Sequence, residues 1–327
     1  MLRIKALALP TMWGAVAITY KLFCPLAQQP GIGARLATSA VFFAVGTGLT
    51  VHVRQSLLRE LRQVRRVAGA AQSALLRPLP PRVDGLGIAA AQLSADRGAA
   101  MGGDLYEVVA TEHGVRVVIG DVRGHGLGAI ATVASVLGSF REAAHDEPEL
   151  AGVLRRLDRG LARYLRASGD PESEEFVTLL LLEIGVGGEI LALNCGHPWP
   201  YLMSGSGVAR LSRADPLPPL GPFPLPGHLP VVACGRLLPD ESLVLHTDGA
   251  EDARDARGGF FPLRTTLENT LGSGPQAVLG KVFAGLLRHS TGTPTDDVAV
   301  LVLRNERQPC EATACPQPAT HLEANGF

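Results

Sequence analysis

Residues 102–122 read Gly-Gly-Asp-Leu-Tyr-Glu-Val-Val-Ala-Thr-Glu-His-Gly-Val-Arg-Val-Val-Ile-Gly-Asp-Val. Two short runs, 104–111 and 115–122, flank the turn signal Glu112-His113-Gly114, which predicts two antiparallel strands joined by a tight hairpin. The same signature recurs at 86–92, 176–184, 189–195, 200–203, 231–233, 242–246 and 297–304, with GVGG and GSG as further hairpin connectors. Helical periodicity falls at about 126–145 with 149–167, and at 262–272 with 275–289. Strands in antiparallel blocks, with helices grouped between them, predict an α+β layered domain rather than a parallel α/β sheet.

The rest of the chain bounds what this body can be. Its 327 residues carry 30 Lys+Arg against 31 Asp+Glu, a formal net charge of −1, and are 46% hydrophobic, 19% charged and 5% aromatic. That excludes a wholly disordered chain. It also excludes a protein that coats nucleic acid, which needs an excess of Lys and Arg to meet phosphates. A chain of this length buries a substantial core without disulfides. Cys24, Cys195, Cys234, Cys310 and Cys315 are scattered, with no zinc-ligand spacing, and read as reduced thiols in a cytoplasmic body.

Upstream lie two apolar runs: residues 6–26, with Lys21 as their one charge, and 36–53, with no Asp, Glu, Lys or Arg. Each approaches the roughly 20 apolar residues that span a bilayer. No small-x-small cleavage site with a polar start follows the first, and the second has no polar face, so two transmembrane helices are expected over residues 1–53. Arg3 and Lys5 precede the first run, Arg54, Arg59, Arg62, Arg65 and Arg66 follow the second, and Arg35 alone lies between. By the positive-inside rule, the N-terminus and the body that follows face the cytoplasm from the plasma membrane.

Residues 54–77 place Leu57, Leu58, Leu61, Val64, Val67 and Ala68 at helical spacing, with six Arg and one Glu. An amphipathic linker helix is expected, its basic face beside anionic lipid and its apolar stripe suited to homodimer pairing as a short coiled coil. PLPPRVDG at 78–85 ends it. The body then spans 78–304, and 305–327 reads as an unstructured tail.

Four acidic sites stand at strand ends beside glycine or another acid: Asp104 in GGD, Asp121 in GDV, Asp248 in TDG, and Asp296-Asp297 in TDD. Alone, each is a turn aspartate. Together, converging carboxylates repel unless a cation neutralises them, and an all-oxygen set suits Mg²⁺ or Mn²⁺. Two such ions sharing a bridging carboxylate and water imply hydrolysis of a phosphate ester without a phosphoenzyme. A rival reading uses Gly124, Gly126 and Ala129, which fit a dinucleotide fingerprint. That fingerprint needs a parallel strand after the helix, whereas a second helix is expected here.

In order along 75–304, the stretches LLRPLPPRVDGLGIAAAQLSA, GGDLYE, GDVRGHGLGA, FVTLLLLEI, LNCGHPWPYL, LPPLG, LVLHTDGAEDAR and TDDVAVLVLR resemble the PPM-type (type 2C) metal-dependent protein serine/threonine phosphatases, in their SpoIIE-like bacterial branch. The resemblance implies a four-layer α-β-β-α sandwich of two antiparallel sheets, two Mn²⁺ or Mg²⁺ ions, and a phosphorylated protein substrate of the anti-sigma-factor-antagonist type. It implies that Asp104, the bridging Asp121 and the Val122 carbonyl hold one ion, and that Asp248 and Asp296 hold the other, with Asp297 as an outer acid or the direct ligand of that pair. Leu105, Glu107 and Glu251-Asp252 depart from the usual pattern without removing an expected ligand. His125, beside Asp121, is a candidate to protonate the leaving oxygen. His197 reads as a structural turn residue, and Arg123 is the nearest cation to meet the phosphate. The expected function is a membrane-anchored phosphatase acting on a cytoplasmic regulator; the alternative is an inactive scaffold that binds that regulator.

Overall fold

The computed structural model describes residues 2–23, 32–93, 102–124, 127–168, 175–290 and 296–307. Contacts divide the chain into two compact units, Met1–Val67 and Ala68–Phe327. In the first, helix α1 (Leu2–Phe23) meets helix α2 (Ile32–Leu75) through aromatic side chains. Trp13 and Tyr20, two turns apart on α1, pack against Phe42 with ring centroids 5.5 and 5.1 Å away. The Trp13 indole N–H donates to the Phe42 carbonyl at 3.4 Å. The second apolar run and the basic connector form one unbroken helix, which stops at Leu75 just before the prolines. Among the described residues one helical stretch, Leu36–Glu60, is long and apolar enough to cross a membrane, with mean hydropathy 1.6 and no part buried inside the protein.

The second unit holds two antiparallel sheets. One runs in the order β1 (Arg82–Val83), β2 (Leu86–Leu93), β11 (Val298–Asn305), β10 (Ser242–His246), β7 (Tyr201–Ser204) and β8 (Gly207–Arg210). The other runs β3 (Asp104–Thr111), β4 (Gly114–Val122), β5 (Val177–Ile184), β6 (Glu189–Cys195) and β9 (Val232–Arg236). Helices α3 (Leu127–Asp146) and α4 (Leu150–Ser168) pair beside the second sheet, α6 (Leu263–Glu268) and α7 (Pro275–His289) beside the first, and α5 (Gly249–Asp252) is a single turn.

The period-2 alternation of strand side chains explains the layering. On β5, Val177, Leu179 and Leu181 pack with α3 and α4, while Leu180, Leu182 and Ile184 pack between the sheets. On β11, Leu301 and Leu303 join that inter-sheet core, while Val298, Val300 and Val302 face α6 and α7. Strands apolar on both faces therefore serve two cores each, and the layers stack α-β-β-α as the resemblance implied.

A buried cation fastens one helix pair. Arg116 on β4 is fully buried; it donates to the Glu183 carboxylate at 2.8 Å and to the carbonyls of Ala144 and Pro148, each at 2.9 Å. It thus satisfies a carbonyl near the end of α3 that the helix itself leaves open. Every expected strand is present within a few residues of its anticipated bounds. Residues 305–307, expected in the tail, are ordered instead: β11 includes Asn305, and Arg307 donates to the Asp84 carboxylate at 2.9 Å. Residues 308–327 lie outside the described residues.

Candidate metal centre

The opening hairpin brings its two acids face to face. In the β3–β4 register Asp104 lies directly opposite Asp121, so both side chains leave the sheet on the same side. Asp121 shares the parity of Val117 and Ile119, which belong to the inter-sheet core, so the pair stands at the mouth between the sheets. The other sheet supplies the facing wall. There β10 ends at His246, Thr247 and Asp248 follow, and Asp296-Asp297 lead into β11. Asp297 continues the inward parity of Leu301 and Leu303, whereas Asp296 has the outward parity and its Oδ1 accepts the Asp297 N–H at 2.8 Å.

Thr247 locks the two walls together. Its N–H donates to the Ala299 carbonyl at 3.1 Å, and its hydroxyl oxygen accepts the Ala299 N–H at 2.9 Å. The same hydroxyl donates to Asp104 Oδ2 at 3.3 Å. Glycine makes the close approach possible. A Cβ at Gly103 would strike the Val122 carbonyl oxygen and lie 2.7 Å from Asp121 Oδ1, and one at Gly102 would lie 2.7 Å from Asp297 Oδ2. The glycines beside the acids are therefore spacers that let backbone and carboxylates crowd together.

Crowding has an electrostatic consequence. Asp104 is only 2% exposed, and burial, then Asp121 and Asp297, hold its carboxyl well above the usual carboxylate range. Burial, then Asp248, Asp296 and Asp297, push Asp121 up to about 7. Asp248 is also raised, by burial first and Asp296 second. Five carboxylates from four separate stretches of chain thus share one field, and a divalent cation would relieve it. Among the described residues no three acidic, histidine or cysteine side chains stand close enough to hold one ion alone. Mg²⁺ and Mn²⁺ take oxygen ligands and keep several waters. The all-oxygen donor set and the glycine-lined approach fit such ions.

A family model, Stage II sporulation protein E (SpoIIE), matches residues 111–306. The chain belongs to the SpoIIE family. Phosphoserine phosphatase RsbP of Bacillus subtilis (strain 168) is 30% identical over 158 residues, which are 46% of this chain and 37% of that protein. The chain therefore spans well under half the length of that relative. Among solved structures, the SiaA PP2C domain of Pseudomonas aeruginosa superposes with a TM-score of 0.62 at 18% identity, covering 76% of this chain and 98% of that one. The PP2C phosphatase domain of SpoIIE from Bacillus subtilis, with a fragment of its regulatory domain, gives 0.54 at 16% identity, covering 67% and 63%. At these identities the structural likenesses establish the fold.

The SpoIIE match begins after GGD, so Asp104 joins the centre on geometry, through its register with Asp121. The dinucleotide alternative fails in this family setting, because β4 pairs antiparallel with both β3 and β5 and α3 is followed by α4. His125 lies outside the described residues. Arg123 stacks over the Phe176 ring, its guanidinium carbon 5.2 Å from the centroid. His197 is a buried turn residue: its N–H donates to Asn194 Oδ1 and its carbonyl accepts from Asn194 Nδ2, both at 2.8 Å. The sequence reading missed the hydroxyl of Thr247; the TDG triplet was its only local trace.

Proposed function

We propose that the chain is a membrane-anchored protein serine/threonine phosphatase that hydrolyses phosphoserine or phosphothreonine on a cytoplasmic regulator of the anti-sigma-factor-antagonist type. The observation that carries this is the in-register pair Asp104–Asp121 facing Asp248 and Asp297 across the inter-sheet mouth. Family membership, the phosphoserine phosphatase name of the relative RsbP and the resemblance to the sigma-factor branch support the substrate class.

Asp104, Asp121 and the Val122 carbonyl would hold one Mn²⁺ or Mg²⁺ ion, and Asp248 with Asp296 the other, Asp121 bridging. Asp297, inward-facing, is the further acid. Bound there, such ions supply charge neutralisation and Lewis-acid activation for attack by water on phosphorus. Arg123, whose guanidinium stacks on Phe176, is the proposed contact to phosphate oxygens. His125 is the proposed donor of a proton to the departing serine or threonine oxygen. Helix α2, with the apolar stretch Leu36–Glu60, is the proposed anchor, α1 the second span, and pairing of α2 between two chains the proposed dimer contact.

The test is hydrolysis of p-nitrophenyl phosphate by the full chain in detergent micelles. Activity is expected to require Mn²⁺ or Mg²⁺ and to fall at least about a hundredfold in Asp121→Ala, the upper end of what losing a mere supporting group costs a metal site. Unchanged activity in that variant would remove the mechanism. Absence of metal-dependent turnover, with the phosphorylated regulator still bound, would favour the scaffold.

A further inference from the structure

The turn that carries Asp248 has little internal support. Helix α5 is four residues long, and Asp248 is its N-cap, with Oδ1 accepting the Gly249 N–H at 2.8 Å. One helical turn cannot hold itself in water, so the direction of Asp248 depends on what grips α5 from outside. Glu251 supplies that grip. Its Oε1 accepts the Tyr201 hydroxyl of β7 at 2.6 Å, and both its oxygens accept from Arg210 Nη2 of β8 at 2.9 Å. Arg210 also lies over the Tyr201 ring at 5.2 Å, and His246 of β10 stacks on Tyr201 at 5.7 Å. The buried Nε2 of His246, which has no hydrogen-bond partner, sits 4.0 Å from Glu251 Oε1. Side chains from three neighbouring strands therefore converge on one carboxylate, one helical turn beyond Asp248. Glu251 is also a position where this chain departs from the pattern it resembles.

We propose that Glu251 is a positioning residue: held by Tyr201 and Arg210, it fixes the α5 turn so that Asp248 presents its carboxylate to a divalent ion. This rests on the metal-centre reading above. Glu251 acts through the backbone of α5, so its effect belongs to metal affinity and vanishes when Asp248 no longer contributes a charge.

The experiment is Mn²⁺ binding to the full chain in detergent micelles, read from the electron paramagnetic resonance signal of free Mn²⁺. Glu251→Ala is expected to weaken binding about tenfold, the lower bound usual for groups that orient a ligand. Glu251→Gln, whose amide oxygen still accepts from Tyr201 and Arg210, is expected to restore most of it. In an Asp248→Asn background, Glu251→Ala is expected to cause no further loss, the coupling that marks residues acting as a unit. Arg210→Met, which leaves α5 intact, replaces Glu251→Ala if that variant does not fold, and is expected to weaken Mn²⁺ only when Asp248 is present. Unchanged Mn²⁺ affinity in the folded variant, or equal losses in both backgrounds, overturns the proposal. Unchanged binding in Asp248→Asn alone overturns the metal-centre reading instead, and this proposal with it.

Discussion

The Thr247 hydroxyl touches a carboxylate on one sheet and a backbone amide on the other, and is fully buried. Removing it leaves the Ala299 N–H without an acceptor, and a buried group so stranded costs about 1–3 kcal/mol. Thr247→Val, which keeps the shape, is expected to lower the unfolding free energy by about that amount in urea titrations, and Thr247→Ser to keep most of it. Equal stability of the Val variant and the wild type would mean the bridge is not formed. None of this was readable in the sequence, because Asp104 lies 143 residues away and no local pattern reports such a contact. The carboxylates themselves were readable. Asp104 and Asp121 close the two ends of one hairpin, and a hairpin fixes its own register. The adjacent pair Asp296-Asp297 is not separated by sequence, because the parity of each acid depends on which face of β11 the core covers.

Short elements set the limit for the fold. The long strands were visible as apolar runs bounded by turn signals, whereas β1, β8 and α5 have two to four residues and owe their form to neighbours. Nor does the sequence assign strands to sheets: β7 follows β6 in the chain but pairs with β10 in the opposite sheet. The turn that makes this crossing contains His197, whose Nδ1 lies 3.2 Å from the Thr178 hydroxyl. Burial, and then the neighbouring His246, push its pKa down to about 3. The unfolded histidine titrates near 6.5. Neutral His197 therefore contributes fully above about pH 6.5, and that stability is lost as pH falls toward 3, because the unfolded chain takes up the proton first. His197→Asn is expected to show a shallower fall in unfolding free energy between about pH 7 and about pH 5 than the wild type. His246 is also lowered by burial, so the comparison reads His197 together with its coupling to that ring. Identical slopes would place His197 in water.

For the molecule as a whole, the proposed topology sets the catalytic unit on the cytoplasmic side, with Arg54 and Arg59 near the end of the Leu36–Glu60 stretch of α2 and Arg62, Arg65 and Arg66 just beyond it. A reporter active only outside the cytoplasm is expected to be silent when fused after Arg66, and a bright fusion would reverse the orientation. The catalytic proposal depends on two sheets meeting so that acids from separate strands surround hard divalent ions. Anomalous diffraction at the manganese edge from Mn²⁺-soaked crystals of the full chain reads this directly. Two peaks about 3.5–4 Å apart are expected, flanked by Asp104 and Asp121 on one side and Asp248 on the other. No peak there, or peaks held by other side chains, would contradict it.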